Sequence, residues 1–418
     1  MSFIGGHDIR KLADTYGTPL LVYDEDAMRK RLNEFVSSFK SEKLETGVLY
    51  ASKAFSCKAM ISLIDEYGLY LDVVSGGELF TAYKTGYDCS KIFFHGNNKT
   101  LQELKMAMQM HVGTIVVDNL MEAEELAELA KEADYPIHTL LRVNPGIEAH
   151  THKYIVTAHV DSKFGISFLN EEELVETVKV LQNGENIVFD GLHAHIGSQI
   201  FDIQAFLEEI KKLFAYSQSL KEKYGIDFHT INLGGGFGVK YTEEDKPVPI
   251  EKVCQSMIQT CEEEQEKTCP MIQRVLIEPG RSIVAEAGYS VYTIGYIKKT
   301  PNKLYAFVDG GMNDNIRPAL YQAKYDAFIE GKEEEEKNTS YTIAGKCCES
   351  GDILIESIDL PKAEKGDLLV MKTTGAYGYS MASHYNKIPL PAVVFASEKK
   401  TREVIERETF EHMISLEK

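Results

Sequence analysis

Lys53 ends a short apolar run, Val48–Ala54, whose residue types favour a β-strand. A helical pattern begins near Ser56, so the lysine amine is expected at the carboxyl end of a strand, where α/β folds place their chemistry. A partly buried amine at such a position can form a Schiff base with an aldehyde cofactor. A solvated lysine at a strand end is the simpler alternative, and position alone favours it.

Two other strand ends carry residues suited to a phosphate. Leu233–Gly238 is glycine-rich, so its backbone amides can approach and hydrogen-bond an anion. Ile277–Ser282 is the next strand end, and barrels often hold a phosphate between the last two loops. Glu278 in that segment would be repelled by a neighbouring anion unless it also faced a cation. That cation could be Arg281 or a protonated ring nitrogen. Pyridoxal phosphate supplies phosphate, ring nitrogen and aldehyde in one molecule.

A pair of histidines, His193 and His195, alternates along another predicted strand and therefore lies on one face of it. As metal ligands they lack a third ligand clustered in the sequence, and no metal site is predicted. Each could be a hydrogen-bonded core histidine. A planar cofactor would favour a stacked imidazole instead.

Strands alternate with amphipathic helices between residues 48 and 281. The predicted strand ends are Val48–Ala54, Tyr70–Gly76, Lys91–Asn97, Thr114–Asn119, His138–Gly146, Phe189–Ser198, His229–Gly236 and Arg274–Arg281. The helices between them include Leu101–Met110, Met121–Ala133, Glu171–Leu181 and Ala205–Lys223. Eight such units predict a closed, TIM-like (β/α)8 barrel of the α/β class over residues 27–281.

A second, mostly antiparallel β domain is predicted from residues 1–26 and 282–418. Its expected strands are Ser290–Lys298, Lys303–Val308, Ser340–Ala344, Asp352–Ile355 and Asp367–Thr373. The early strand Pro19–Tyr23 has no preceding helix partner and is expected to join this C-terminal sheet. This domain is expected to contribute to substrate binding and to a dimer interface.

Composition excludes several classes of partner. The net charge of −19 argues against binding to nucleic acid, which requires a basic surface. No apolar run is long enough to cross a bilayer and the N-terminus has no leader pattern, so a cytoplasmic location away from membranes is expected. The seven cysteines show neither disulfide nor zinc spacing.

Motifs spread along the whole chain carry a family resemblance. They are Tyr50–Ala54, Asp72–Glu78, Arg142–Gly146, His150–Tyr154, Ser162–Ile166, His195–Gln199, Gly234–Gly236, Glu278–Arg281, Asn313–Tyr321, Cys348–Asp352 and Gly375–Tyr379. In this order and spacing the chain resembles the fold-type III pyridoxal phosphate-dependent decarboxylases, which have an alanine racemase-like barrel.

The resemblance implies a role for each cofactor residue. Lys53 would form the Schiff base, His195 would stack on the ring, and Glu278 would hold the pyridinium. The phosphate would be held by Ser198, Gly234, Gly235, Gly236, Gly280, Arg281 and Tyr377. The supporting residues near the cofactor would be Asp72, Glu78, Arg142 and Lys163.

Within the family, the chain resembles the enzymes that decarboxylate meso-2,6-diaminopimelate at its D-centre to L-lysine, the last step of lysine biosynthesis. The distal end of this substrate carries a carboxylate and an ammonium. The implied substrate residues are Arg281, Arg317, Tyr321, Glu349 and Tyr377. The resemblance also implies a homodimer with composite active sites, in which Cys348 and Glu349 complete the neighbour's site. Cys348, a thiol beside a carboxylate, is a reasonable proton donor to Cα.

Three alternatives stay open from the residues alone. One is a decarboxylase of the same fold acting on another carboxylated diamine, such as carboxynorspermidine. A racemase would reprotonate Cα without releasing carbon dioxide, and a non-catalytic relative would only bind the cofactor. The polar segment Thr151–Lys163 is predicted to close over the substrate.

Overall fold

Strands and helices alternate through the first two thirds of the chain, and strands dominate the last third. The computed structural model describes residues 2–147 and 162–418. Its strands are β1 Phe3–Ile4, β2 His7–Asp8, β3 Leu20–Asp24, β4 Glu45–Ala51, β5 Tyr70–Val73, β6 Ile92–Phe94, β7 Thr114–Val117, β8 Ile137–Asn144, β9 Ile166–Ser167, β10 Ile187–Ala194, β11 Thr230–Asn232, β12 Arg274–Ile277, β13 Gly288–Lys299, β14 Leu304–Val308, β15 Ala327–Ile329, β16 Thr339–Ala344, β17 Ile353–Leu360, β18 Leu368–Met371, β19 Ala392–Ser397 and β20 Lys400–Ile405. Its helices are α1 Ile9–Tyr16, α2 Glu25–Ser38, α3 Lys58–Glu66, α4 Gly76–Thr85, α5 Leu101–Gln109, α6 Leu120–Ala130, α7 Glu171–Asn183, α8 Ile203–Tyr224, α9 Ile250–Lys267, α10 Arg281–Val284, α11 Arg317–Tyr321 and α12 Phe410–Ile414.

These elements form two compact units. The barrel unit comprises Leu32–Gly238 and Pro247–Gly280. The β-rich unit comprises Met1–Arg31, Val239–Lys246 and Arg281–Lys418. The short segment Val239–Lys246 thus groups with the β-rich unit, although the sequence places it within the predicted barrel range.

Eight parallel strands close the barrel in the order β4, β5, β6, β7, β8, β10, β11 and β12. Closure comes from the parallel pairing of β12 with β4, while β10 pairs with β8 on its other side. The predicted (β/α)8 barrel is therefore confirmed. Its interior is filled by side chains from alternating strand positions, among them Leu49, Phe93, Val116, Leu140 and Leu276.

Helix caps place the loops at the carboxyl ends of the strands. The side chain of Ser75 accepts the backbone N–H of Glu78 at the start of α4. Thr100 and Glu103 form a capping box at the start of α5, and Asn119 caps α6. α4 and α6 begin three residues after β5 and β7, and α5 begins seven residues after β6, so the loops at this end of the barrel are short.

The β-rich unit is mostly antiparallel, as predicted. Its main sheet has the order β17, β16, β14, β13, β3, β19 and β20. The early strand β3 pairs with β13 and with β19, which confirms that the N-terminal strand joins the C-terminal sheet. The sequence did not predict β15, β19 or β20. Within the described residues, no helix combines the length and apolar character needed to cross a membrane.

Candidate active site

Lys53 lies at the mouth of the barrel, two residues after β4, in a 3₁₀ helix formed by Ser52–Ala54. This turn buries Ser52 and Ala54 but leaves the side chain of Lys53 exposed. Lys53 is thus exposed in the single chain, and its role as the Schiff-base residue stays a prediction. Its positive charge still acts on the barrel interior. Burial raises the pKa of Asp72 and lowers that of His195, and the charge of Lys53 opposes the first shift and adds to the second.

Glu278 follows β12 and is the centre of a buried polar cluster. Its Oε1 accepts a hydrogen bond of 2.7 Å from Asn232 Nδ2 and lies 2.9 Å from His95 Nε2. Its Oε2 lies 3.2 Å from His193 Nε2. All four residues are buried, so both carboxylate oxygens meet nitrogen atoms in a site shielded from water.

Strand register brings this cluster together. His193 in β10 pairs with Asn232 in β11 on one side and with Arg142 in β8 on the other. His95 follows β6, and its ring packs edge-to-face on His193 with the centroids 4.7 Å apart. Residues far apart in the chain therefore meet at the carboxyl ends of neighbouring strands, as parallel pairing dictates.

The electrostatics of the cluster favour an ionised Glu278. Burial acts to raise the pKa of this carboxyl, yet His95 and His193 hold it well below its usual range. Burial also lowers the pKa of His193 to about 4, so this imidazole is neutral near pH 7. The pKa of Asp72 is raised, chiefly by burial. Glu278 is thus an ionised acceptor within an otherwise costly environment for charge.

The glycine-rich loop after β11 lies against His195. The backbone N–H of Gly235 donates to His195 Nδ1 at 3.2 Å, and burial is the main reason that the pKa of this histidine lies well below its ordinary value. A Cβ atom at Gly235 would lie 2.2 Å from the carbonyl oxygen of Glu278, and one at Gly234 would lie 2.4 Å from that of Ala194. Only glycine fits this cradle.

The β-rich unit holds a second buried cluster, made of arginines and tyrosines. The hydroxyl of Tyr241 accepts hydrogen bonds from Nη1 of Arg281 at 2.5 Å and from Nη1 of Arg317 at 3.1 Å. Nη1 of Arg317 also donates to the hydroxyl of Tyr325. The guanidinium of Arg281 lies over the ring of Tyr377, 4.7 Å from its centroid.

This cluster depresses the pKa of Tyr241. Burial acts to raise that pKa, but the two guanidiniums of Arg281 and Arg317 lower it below its ordinary value. Among the described residues, no carboxylate forms an ion pair with the guanidinium of Arg317, whose hydrogen-bond partners are the two phenols. Such a buried cation is suited to an anionic ligand.

Cys348, Glu349 and Tyr321 lie on the surface of the same unit or close to it. Cys348 and Glu349 are exposed, and the backbone N–H of Cys348 donates to the side chain of Asn386 at 2.6 Å. Tyr321 is half-buried at the last position of α11, one turn after Arg317. Arg317 instead donates a hydrogen bond to the hydroxyl of Tyr325, which lies in the stretch after α11.

Comparison with known proteins assigns the chain to a family. The model of the family described as pyridoxal-dependent decarboxylase, pyridoxal binding domain, matches residues 25–285. The chain belongs to the pyridoxal-dependent decarboxylases. It is 49% identical over 415 residues to the diaminopimelate decarboxylase of Bacillus subtilis, covering 99% of this chain and 94% of that protein.

Solved structures of similar proteins cover nearly the full length of this decarboxylase. The diaminopimelate decarboxylase of M. jannaschii in complex with L-lysine has a TM-score of 0.92 and 34% identity, and covers 100% of this chain and 95% of that chain. The Helicobacter pylori enzyme in complex with L-lysine has a TM-score of 0.89 and 31% identity, and covers 98% and 99%. The two-unit architecture is therefore that of the family.

The cofactor of this decarboxylase is pyridoxal phosphate, and the described residues of the barrel fit it. Glu278 is an ionised, buried acceptor, as a protonated ring nitrogen requires. The Gly234–Gly236 loop is a tight backbone turn, in which an added Cβ atom at any of the three glycines would lie 2.2–2.4 Å from a carbonyl oxygen. His195 is half-buried beside this loop, and Ser198 is half-buried four residues beyond β10. Gly280 is buried against Ala51, where a Cβ atom would lie 2.9 Å from the alanine side chain.

The sequence predicts no metal site, because His193 and His195 have no third ligand near them in the chain. His193 does have clustered partners, because potential ligand atoms of His95, His193 and Glu278 lie within 4.8 Å of one another. They come from β10 and from the ends of β6 and β12, so sequence spacing could not reveal them. Glu278 is also the residue predicted to hold the ring nitrogen of the cofactor, and that role stays a prediction.

The remaining predicted residues are distributed around the mouth of the barrel. Glu78, half-buried in the first turn of α4, accepts the backbone N–H of Val74 at 2.7 Å. Arg142 is half-buried and lies over the ring of Phe164, while Lys163 is exposed. The motif His150–Tyr154 and all but the last two residues of the predicted closing segment Thr151–Lys163 lie outside the described residues.

Sequence reasoning missed His95, Asn232, Tyr241 and Tyr325. His95 and Asn232 carry the signal that singled out Lys53, a polar side chain at the carboxyl end of an apolar strand. Tyr241 follows the glycine-rich loop by only a few residues. Tyr325 has no such signal, since it lies in an irregular stretch after α11.

Proposed function

We propose that this decarboxylase removes the carboxylate at the D-centre of meso-2,6-diaminopimelate to give L-lysine and carbon dioxide, the last step of lysine biosynthesis. The observation that carries the proposal is the buried guanidinium of Arg317, which meets two phenols and no carboxylate among the described residues. A decarboxylase of ornithine or arginine has no distal carboxylate for such a group to bind. The near full-length similarity to diaminopimelate decarboxylases supports the same substrate.

The cofactor residues are assigned by chemistry and position. Lys53 is the amine that anchors the aldehyde carbon, and His195 stacks on the ring. The phosphate is bound by Ser198, Gly234, Gly235, Gly236, Gly280, Arg281 and Tyr377. Asp72, Glu78, Arg142 and Lys163 support this site.

Pyridoxal phosphate supplies an electron sink for the electron pair left when the carboxylate departs. Glu278 keeps a proton on the ring nitrogen, because its ionised carboxylate favours the positively charged ring. Asn232, His95 and His193 hold that carboxylate in one orientation. In this proposal Lys53 binds the aldehyde carbon of the cofactor and Glu278 binds its ring nitrogen, and both residues belong to the barrel unit.

The distal end of the substrate presents a carboxylate and an ammonium. Arg281, Arg317 and Tyr321 bind the carboxylate, with Tyr377 beside them, and Glu349 binds the ammonium. The thiol of Cys348 donates a proton to Cα once carbon dioxide has left. A racemase would return a proton to Cα with the carboxylate still attached.

We also propose a homodimer with composite active sites, in which Cys348 and Glu349 act in the site of the neighbouring subunit. Both residues are exposed in the single chain. Exposed apolar side chains follow β5, β6, β7 and β9, namely Val74, Leu101, Met121 and Leu169. Met121 and Leu169 are 79% and 80% exposed, which is unusual for large apolar side chains and typical of an interaction surface.

Mixed subunits test the composite site. Lys53→Ala and Cys348→Ala are each expected to abolish most turnover. Co-refolding the two variants should restore activity, because a mixed dimer then contains one site with both residues intact. An absence of restored activity in mixtures that contain dimers by analytical ultracentrifugation would contradict the composite site.

A substrate panel tests the main proposal. The reconstituted protein should release carbon dioxide from meso-diaminopimelate far faster than from ornithine, arginine or carboxynorspermidine. Arg317→Ala should weaken diaminopimelate turnover far more than cofactor binding. Equal turnover in the variant and the parent, or a preference for carboxynorspermidine, would contradict the assignment.

We place the enzyme in the cytoplasm. All seven cysteines are free thiols, and five of them are buried, which suits a reducing compartment. Cell fractionation tests this location. Decarboxylase activity should appear in the cytoplasmic fraction, and activity that follows membrane or periplasmic markers would contradict it.

A further inference from the structure

The hydrogen bonds of Arg317 are concentrated on one of its nitrogen atoms. A guanidinium has five N–H donors in a planar fork, two of them on Nη1. Nη1 of Arg317 donates to Tyr241 at 3.1 Å and to Tyr325. Both donors of that nitrogen are therefore used by phenol oxygens.

The other edge of the same guanidinium, formed by Nε and Nη2, makes no hydrogen bond within the described residues. This edge presents two parallel N–H groups, the geometry that binds a carboxylate through both oxygens. Arg317 is only 5% exposed, so it is held in a position where such an interaction is weakly screened.

Tyrosine rings also surround the cation. The guanidinium carbon of Arg317 lies 5.0 Å from the ring centroid of Tyr241 and 5.6 Å from that of Tyr325. The two rings pack edge-to-face with their centroids 5.5 Å apart. Tyr241 also bonds Arg281, so a single phenol oxygen sets the spacing between the two guanidiniums.

We propose that Tyr241 and Tyr325 are positioning residues that hold Nη1 of Arg317 and so present its Nε–Nη2 edge to the distal carboxylate of the substrate. The proposal rests on the proposed function, because it deepens the assignment of the carboxylate site. The tyrosines act through the arginine and not on the reacting atoms. Their hydroxyls therefore govern the affinity for carboxylate-bearing ligands more than the rate of the chemical step.

Tyr241→Phe and Tyr325→Phe test this role, since each removes one hydroxyl and keeps the ring. Each variant should raise the KM for meso-diaminopimelate roughly 10-fold, the expected effect of losing one hydrogen bond to a charged group, with a smaller change in kcat. Calorimetry on the cofactor-loaded enzyme adds a readout independent of turnover. The dissociation constant of L-lysine should rise by a similar factor, while that of cadaverine, which lacks a carboxylate, should not change.

Tyr341→Phe is the matched control. Tyr341 is also buried in the β-rich unit, and its hydroxyl accepts the backbone N–H of Ala363 at 3.0 Å, so its loss lowers stability without touching Arg317. If Tyr241→Phe and Tyr325→Phe both bind L-lysine with the dissociation constant of the parent, the positioning role of the tyrosines is overturned and the substrate assignment stands. A parent enzyme that binds lysine no more tightly than cadaverine would overturn the inference together with the substrate assignment.

Discussion

The side-chain amide of Asn232 donates a 2.7 Å hydrogen bond to Oε1 of Glu278. Its own oxygen accepts the backbone N–H of Gly234 at 3.0 Å. One buried amide therefore connects Glu278, the proposed acceptor for the ring nitrogen, with the glycine-rich loop proposed to hold the phosphate. Both ends of the proposed cofactor site thus contact one side chain, and a change at that side chain should disturb both.

Asn232→Asp should weaken cofactor binding at least about 10-fold, because a donor to Glu278 is replaced by a second buried carboxylate that repels it. Titration of the protein with pyridoxal phosphate, followed by fluorescence, measures this affinity. Asn183→Asp is the control, since Asn183 is exposed at the end of α7. Parent-like affinity in Asn232→Asp would mean that Asn232 does not hold Glu278 for the cofactor.

A buried ion pair, Lys99 with Glu122, should be important for the stability of the loops after β6 and β7. Lys99 Nζ lies 2.6 Å from Glu122 Oε1 and also donates to the carbonyl oxygens of Gly96 and Val116. Lys99→Met leaves a buried carboxylate without its cation and should lower the free energy of unfolding by about 3–5 kcal/mol. The double variant Lys99→Met/Glu122→Gln should lose less free energy of unfolding, because no unpaired charge is left buried. Urea denaturation measures both, and a double variant less stable than the single one would contradict this account.

Glu209 should make stability depend on pH. This carboxyl on α8 is fully buried, neither oxygen has a hydrogen-bond partner among the described residues, and burial raises its pKa well above the ordinary value. The folded state therefore retains a proton that the unfolded state releases. Above the ordinary pKa of a glutamate, stability falls as pH rises, by at most about 1.4 kcal/mol per pH unit, until the folded-state pKa is passed.

Glu209→Gln removes this titration, so the variant should gain stability relative to the parent between pH 5 and pH 8. Urea unfolding midpoints at several pH values give the comparison. Glu208→Gln, at the exposed neighbouring position, should follow the parent at every pH. A stability difference between Glu209→Gln and the parent that does not vary with pH would show that the carboxyl is ionised in the folded protein.

The barrel could be predicted because each strand–helix unit has its own pattern of apolar residues within one short stretch of sequence. Lys53 and Glu278 were predicted because each lies at the carboxyl end of an apolar strand, two residues after β4 and directly after β12 respectively. His95, His193 and Asn232 meet only when β6, β10 and β11 take their places in the closed sheet, so no local pattern indicates their contact. The sequence therefore indicates which loops carry candidate site residues, whereas the contacts between their side chains are seen only in the structure.

The β-rich unit was harder to predict for a related reason. β19 is buried along its whole length, so it lacks the alternation of apolar and polar residues that marks a half-exposed strand. Tyr241 lies in a segment that sequence order assigns to the barrel, whereas Tyr325 follows α11. Both reach Arg317 through tertiary folding alone, and only the structure places them on one nitrogen atom.

Product formation by the protein reconstituted with pyridoxal phosphate tests the proposed decarboxylation of diaminopimelate most directly. We expect one L-lysine and one carbon dioxide for each meso-diaminopimelate consumed, with turnover at least about 1,000-fold lower in Lys53→Ala. Consumption without carbon dioxide release, or equal turnover in Lys53→Ala, would contradict it.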